Sequence, residues 1–201
     1  MEKRTLQKLA AASAGLGVLG WLLLRPSSAQ ASVEPAPRRH IDPSPQPQIP
    51  SEDDRKLAWE QHVASTLSPA LGWPYWWGKG EPSTPWDKGP QGVDCSGFAS
   101  MALVKLGLIP PNTPDMASDT MRLKATPIPV GSQRPGDLAF YRGHVDVVAT
   151  WPGRDGHSEV VGSQGGDKTT HGDKPTAKVK VNKGGPRGGM TFLGYGRLKI
   201  G

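Results

Sequence analysis

Residues 94–111, DCSGFASMALVKLGLIPP, decide the fold of this chain. Asp94 is an N-cap residue type, Phe98, Met101, Ala102 and Leu106 recur at helical spacing, and Gly107 with Pro110 and Pro111 supplies a stop. The stretch predicts a helix that opens at Cys95. A cysteine in the first turn meets unpaired backbone N–H groups and the positive end of the helix dipole, both of which favour thiolate over thiol.

Working upstream, Ser51-Glu52-Asp53-Asp54 has the form of a capping box, and Trp59, Val63 and Leu67 follow at i, i+4, i+8. This predicts a helix from about Glu52 to Leu67, ended by Pro69. The aromatic stretch from Trp73 to Gly78, followed by Pro82, Pro85, Gly89 and Pro90, is a turn-rich loop that either lines a cleft or packs its rings on the core. Downstream the period changes to two, and Asp137–Tyr141, His144–Trp151, Ser158–Ser163, Lys178–Val181 and Met190–Lys199 are predicted strands separated by Gly, Pro and Asp clusters. Helices first and strands afterwards, without βαβ alternation, predict an α+β domain with N-terminal helices packed on an antiparallel sheet.

A length of 201 residues leaves room for one ordinary domain and its appendages. Gly 26 and Pro 21 argue against a helix bundle or coiled coil. The appendages are at the N-terminus. Residues 1–31 combine Lys3, Arg4 and Lys8 with a sixteen-residue apolar stretch, Leu9 to Leu24, and end in Ala29-Gln30-Ala31, the pattern of an export signal. Sixteen helical residues rise about 24 Å, short of a hydrocarbon core of about 30 Å, which favours a cleaved signal over a short membrane anchor. Residues 32–50 carry six prolines and form a spacer, leaving 51–201 as the domain proper. The segment places the rest of the chain outside the cytoplasm, whether secreted, periplasmic, membrane-anchored or carried on a phage particle.

The net charge of +6 is local: residues 32–164 sum to −3 and residues 165–201 to +6. The basic run of Lys168, Lys174, Lys178, Lys180, Lys183, Arg187 and Lys199 is either an anionic-polymer contact or a solvated surface. Zinc-finger spacing, aromatic-basic alternation and a basic helix are all missing, so nucleic acid is not an expected partner. The five histidines have no metal-ligand spacing, and neither a metal nor another cofactor is expected.

Cys95 is the only cysteine, so no internal disulfide forms. A nucleophile in that position needs a base, and His144 is the best placed because it opens an apolar strand after the Arg142-Gly143 turn. The other histidines sit in the spacer (His40), on the first helix (His62), in a turn (His157) or in a Gly- and Lys-rich loop (His171).

Asp94-Cys95-Ser96-Gly97-Phe98, preceded by Tyr75-Trp76-Trp77-Gly78 and followed by Arg134-Pro135-Gly136-Asp137-Leu138 and Gly143-His144-Val145, resembles the NlpC-type cell-wall peptidases, a papain-like group. The resemblance runs from about Trp73 to Tyr195. It implies a papain-like core and a cysteine peptidase acting on the stem peptide of peptidoglycan. Carried over, it implies Cys95 as nucleophile, His144 as general base, and Tyr75 and Asp94 at the substrate site, Asp94 also capping its helix. A third polar group from the neighbouring strand is implied for orienting the imidazole. The chain has no histidine at the end of that strand, which makes Gln164 the expected residue ahead of His157 or Ser163. A second departure is Asp146, where the family commonly has a small residue. It shares a strand face with His144, where it would crowd the cleft, raise the basicity of His144 or meet a cationic substrate group. A non-catalytic wall-binding module and a related amidase or acyl transferase are the alternative functions.

Overall fold

A computed structural model describes residues 50–86 and 91–198. The expected export signal and spacer lie outside the described residues. Helix α1 spans Glu52–Leu67, and the capping box forms: Ser51 Oγ accepts from the Asp54 N–H at 3.1 Å while Asp54 Oδ2 accepts from the Ser51 N–H at 3.2 Å. A short 3-10 turn at Ser68–Ala70 follows, with Pro69 inside it. Val63, Ala64 and Leu67 are buried, and Trp59 donates its indole N–H to Pro135 O at 2.8 Å, docking α1 beside the turn that leads into the sheet.

Helix α2, Cys95–Lys105, opens at the cysteine as expected. Eight of its eleven residues are buried, so it is a central rather than a surface helix. Phe98, Met101 and Leu103 pack with Val145, Val147 and Val161 of the sheet. Each such burial contributes about 1.5–3 kcal/mol, and together they fix the helix axis that aims Cys95.

Six antiparallel strands make one sheet: β1 Ala125–Ile128, β2 Leu138–Tyr141, β3 His144–Val148, β4 Glu159–Gln164, β5 Lys178–Lys183 and β6 Phe192–Leu198, in the order β1-β6-β2-β3-β4-β5. Five of these match expected strands, with ends moved by up to a few residues. Strand β1 and the seven-residue helix α3, Ser118–Lys124, before it were not expected. The helix is too short to show a period, and Pro127 argues against a strand except at an edge, which is where β1 lies.

The sheet buries both faces. Opposite the helices, Ala139, Tyr141, Val148, Val160 and Tyr195 form a second cluster, joined by Phe192. Asp137 fixes the start of β2: its carboxylate accepts from the Arg134 N–H at 2.8 Å and is gripped by Arg197 of β6 through two bonds of 2.7 and 2.8 Å. The Arg134–Leu138 motif thus sets the β2–β3 hairpin, and with it His144.

Candidate active site

Asp94 shapes the end of α2 that carries Cys95. Its Oδ1 accepts from the Gly97 N–H at 2.7 Å and the Ser96 hydroxyl at 3.0 Å, while Oδ2 accepts from the Gly78 N–H at 2.9 Å. Both oxygens are thereby engaged in capping the helix and tying the aromatic loop to it. Gly97 permits this closeness, because a Cβ there would stand 2.1 Å from Lys79 O and 2.4 Å from Gly80 O.

The loop holds Tyr75 in place through its backbone. The Tyr75 N–H donates to Ala177 O at 2.9 Å, its carbonyl accepts from Gly172, and Trp76 bonds Val93 O at 3.1 Å, two residues before the cysteine. The expected cleft-lining loop is present, with Tyr75 and Trp77 on the wall of a cleft of about 580 Å³ that also contains Cys95, His144 and Gln164. Burial, followed by the nearness of Cys95 and Asp94, pushes the Tyr75 phenol above its usual range, so its hydroxyl remains a donor. Ser163 holds β4 to the same entry, its hydroxyl donating to Val93 O at 2.6 Å.

His144 opens β3 and lines the same cleft as Cys95. Its Nε2 lies 2.8 Å from Asp146 Oδ1. Asp146 is fully buried, accepts from Gln164 Nε2 at 2.9 Å on the same oxygen, and pairs through Oδ2 with Arg187 Nη2 at 2.7 Å. Arg187 lies over the Tyr141 ring, 4.2 Å from its centroid. Burial works against a charged imidazole, yet the Asp146 and Cys95 interactions outweigh it and raise His144 to about 9. Burial likewise opposes ionisation of Asp146, but His144, Arg187 and Gln164 together hold its carboxyl below the usual range.

The orienting bond on the imidazole therefore comes from Asp146, on the histidine's own strand, and not from Gln164. Gln164, expected in that role, reaches the ring only through Asp146. The reason lies on β4. Continuing the Val147↔Val161 register places Gly162 opposite Asp146 and Gln164 opposite His144. A Cβ at Gly162 would stand 1.8 Å from Asp146 Oδ1, so the missing side chain on β4 provides the space that the carboxylate fills.

Asp94 lies at the helix cap and is not among the cleft residues. His157 sits elsewhere, its Nδ1 3.2 Å from Tyr195 Oη and its ring edge-on to Phe192. Arg187 belongs to the basic run, and nothing in an arginine within a Gly- and Pro-rich turn announces a partner forty-one residues away. Among the described residues no cluster of His, Cys, Asp and Glu has the arrangement of a metal site.

Comparison with known proteins matches residues 72–182 to the NlpC/P60 family. Dipeptidyl-peptidase 6 of Lysinibacillus sphaericus is 30% identical over 102 residues, covering 49% of this chain and 32% of that protein. The chain thus aligns with about a third of that relative's length. Among solved structures, the peptidoglycan hydrolase RipB of Mycobacterium tuberculosis is 25% identical, with 75% of this chain and 68% of that chain covered and a TM-score of 0.46. RipD of the same organism, described as a non-catalytic NlpC/p60 domain protein adapted to peptidoglycan binding, is 23% identical, with 71% and 98% covered and a TM-score of 0.44.

Proposed function

Because the chain belongs to the NlpC/P60 family, we propose that it is an extracytoplasmic cysteine peptidase that hydrolyses an amide bond in the stem peptide of peptidoglycan. The observation that carries this reading is the cleft that Cys95 shares with His144, whose imidazole is held from behind by the buried Asp146. The Cys95 thiolate attacks the amide carbonyl carbon, and the carbonyl oxygen becomes an oxyanion facing the Cys95 N–H and the Tyr75 hydroxyl. As the C–N bond breaks, His144 Nδ1 gives its proton to the departing amine and a thioester remains on the sulfur. Water then attacks the thioester while His144 takes up its proton, releasing the acid and restoring the thiolate-imidazolium pair.

In this reading Asp146 holds the ring through Nε2, so that Nδ1 serves the sulfur in both half-reactions. Gln164 and Arg187 are positioning residues that hold Asp146. Asp94 orients the helix end that carries Cys95. The expected N-terminal export segment supports delivery to the wall, either free or tethered to a membrane.

Digestion of purified sacculi by the wild-type chain and by Cys95→Ala tests the reading. Wild type is expected to release stem-peptide fragments whose masses identify the bond, and Cys95→Ala to release none. Equal release by the two proteins would remove Cys95, and this mechanism, from consideration.

A further inference from the structure

The cleft beside Cys95 has a charge character that the mechanism does not use. Its wall carries Arg142, Lys180 and Arg187, and among the described residues no aspartate or glutamate lines it. The one carboxylate underneath, Asp146, is fully buried and paired with His144 and Arg187. The recess therefore presents a surplus of positive charge.

Its hydrogen-bonding balance points the same way. Arg187 Nε and Nη1 and Asn182 Nδ2 are buried donors with no acceptor among the described residues, and both side chains line the cleft. Buried donors call for an acceptor, and donors beside cations call for an anionic one. The basic run also divides on this point. Lys168, Lys174, Lys178 and Lys183 are exposed, whereas Lys180 and Arg187 are half-buried against the cleft. Lys180 pairs with Gly162 and Asn182 with Val160, so by strand alternation the two lie on one face of β5, bordering the strand face that holds Asp146.

We propose that this recess is an anion-binding subsite that takes a carboxylate of the peptide substrate, so that the protein selects stem peptides with free carboxylates over their carboxamide forms. The inference rests on the peptidase reading above, since it is the neighbouring Cys95 and His144 that make the anion a substrate group. A carboxylate accepts from the guanidinium, ammonium and amide donors together and brings the opposite charge. A carboxamide brings no charge and turns N–H groups toward donors, leaving both sides unsatisfied.

The test is calorimetric titration of the full chain carrying Cys95→Ala with two synthetic stem peptides that differ only in having carboxylates or carboxamides. The free-acid peptide is expected to bind at least about tenfold more tightly. Lys180→Gln or Arg142→Gln should shrink that ratio, while Lys178→Gln, an exposed change on the same strand, should leave it intact. Equal affinities, failure of the free-acid peptide to bind, or a ratio that Lys180→Gln and Arg142→Gln do not move would overturn the proposal. Wild-type turnover of the same peptides separates the two readings. A preserved binding preference without cleavage defeats the peptidase and leaves the subsite standing, whereas cleavage of both peptides at equal rates with equal affinities defeats the subsite alone.

Discussion

Replacing Asp146 by Asn removes one negative charge from a fully buried position while keeping the side chain's shape and an oxygen for Arg187 or Gln164. In the native site His144 is raised to about 9, against the opposing effect of its burial. At pH 7 that corresponds to roughly 100 imidazolium rings for each neutral one. Without the carboxylate the largest raising contribution disappears while burial and the influence of Cys95 remain, so the ring should titrate well below 9, toward its ordinary value of about 6.5. In the limit of a full return the imidazolium share at pH 7 drops to about a quarter, a difference of about 3 kcal/mol in favour of the neutral ring.

Two assays read this change without any substrate. The ring carbon shift of His144, followed by NMR across pH 5–10, gives its titration directly. The rate of Cys95 alkylation by iodoacetamide over the same range follows the thiolate that the imidazolium favours. Asp146→Asn should move the ring titration down by up to about 2 pH units, and slow alkylation below neutral pH. A ring that still titrated near 9 in Asp146→Asn, or superimposable alkylation profiles, would show that the carboxylate does not govern the imidazole.

Gly162→Ala should act on the same bond from the opposite strand, because its Cβ would lie 1.8 Å from Asp146 Oδ1 and 2.8 Å from its Cγ. Overpacking of this kind costs about 1–3 kcal/mol, and the displaced carboxylate should cost activity as well; unchanged wall digestion and an unchanged melting temperature would contradict the close approach. Asp94→Ala should lose about 1–2 kcal/mol of helix capping and loosen the loop at Gly78, measurable by urea unfolding, with Asp94→Asn restoring most of the loss. Stability should also depend on pH through His144. Its folded value lies above the unfolded one, so its contribution is full below about pH 6.5 and is lost as pH rises through about 9, worth about 3 kcal/mol. The wild-type melting temperature should therefore fall by roughly 6–12 °C between pH 6.5 and 9 at about 2–4 °C per kcal/mol, and the fall should flatten in Asp146→Asn.

The elements whose signals are local were legible before any coordinates. Helix α1 has its capping box, α2 its Asp94 cap and glycine stop, and β2 to β6 their alternation, so each announces itself within a dozen residues. The pair β1 and α3 was not legible, because β1 is a strand only by virtue of pairing with β6 some seventy residues later. The site divides in the same way. Cys95 and His144 follow from their positions at the start of a helix and of a strand. The partner of the imidazole depends on what faces it across β3 and β4, which is a matter of register, and register emerges only when the sheet closes.

Polar residues alone therefore give an incomplete account of how this site is specified. Asp146 was visible as an anomaly on the histidine's strand and Gln164 as the nearest polar group on the next one, and residue type by itself favours the second. What decides between them is a residue with no side chain. Gly162 leaves a gap opposite Asp146, the carboxylate occupies it, and Gln164 and Arg187 close around the carboxylate. Gly166 serves Tyr75 in the same manner, since a Cβ there would stand 2.1 Å from the tyrosine ring that borders the cleft. The exchange also carries a constraint on substitution. A larger residue at position 162 requires a smaller one at 146, and the imidazole must then find its partner on β4. The double variant Asp146→Gly with Gly162→Asp should accordingly recover part of the alkylation profile that either single change loses, because it returns one carboxylate to the same gap from the opposite strand. If the double variant lost as much as the two single variants combined, the gap would not be what positions the carboxylate, and the pairing of these two positions would have to be explained by backbone geometry instead.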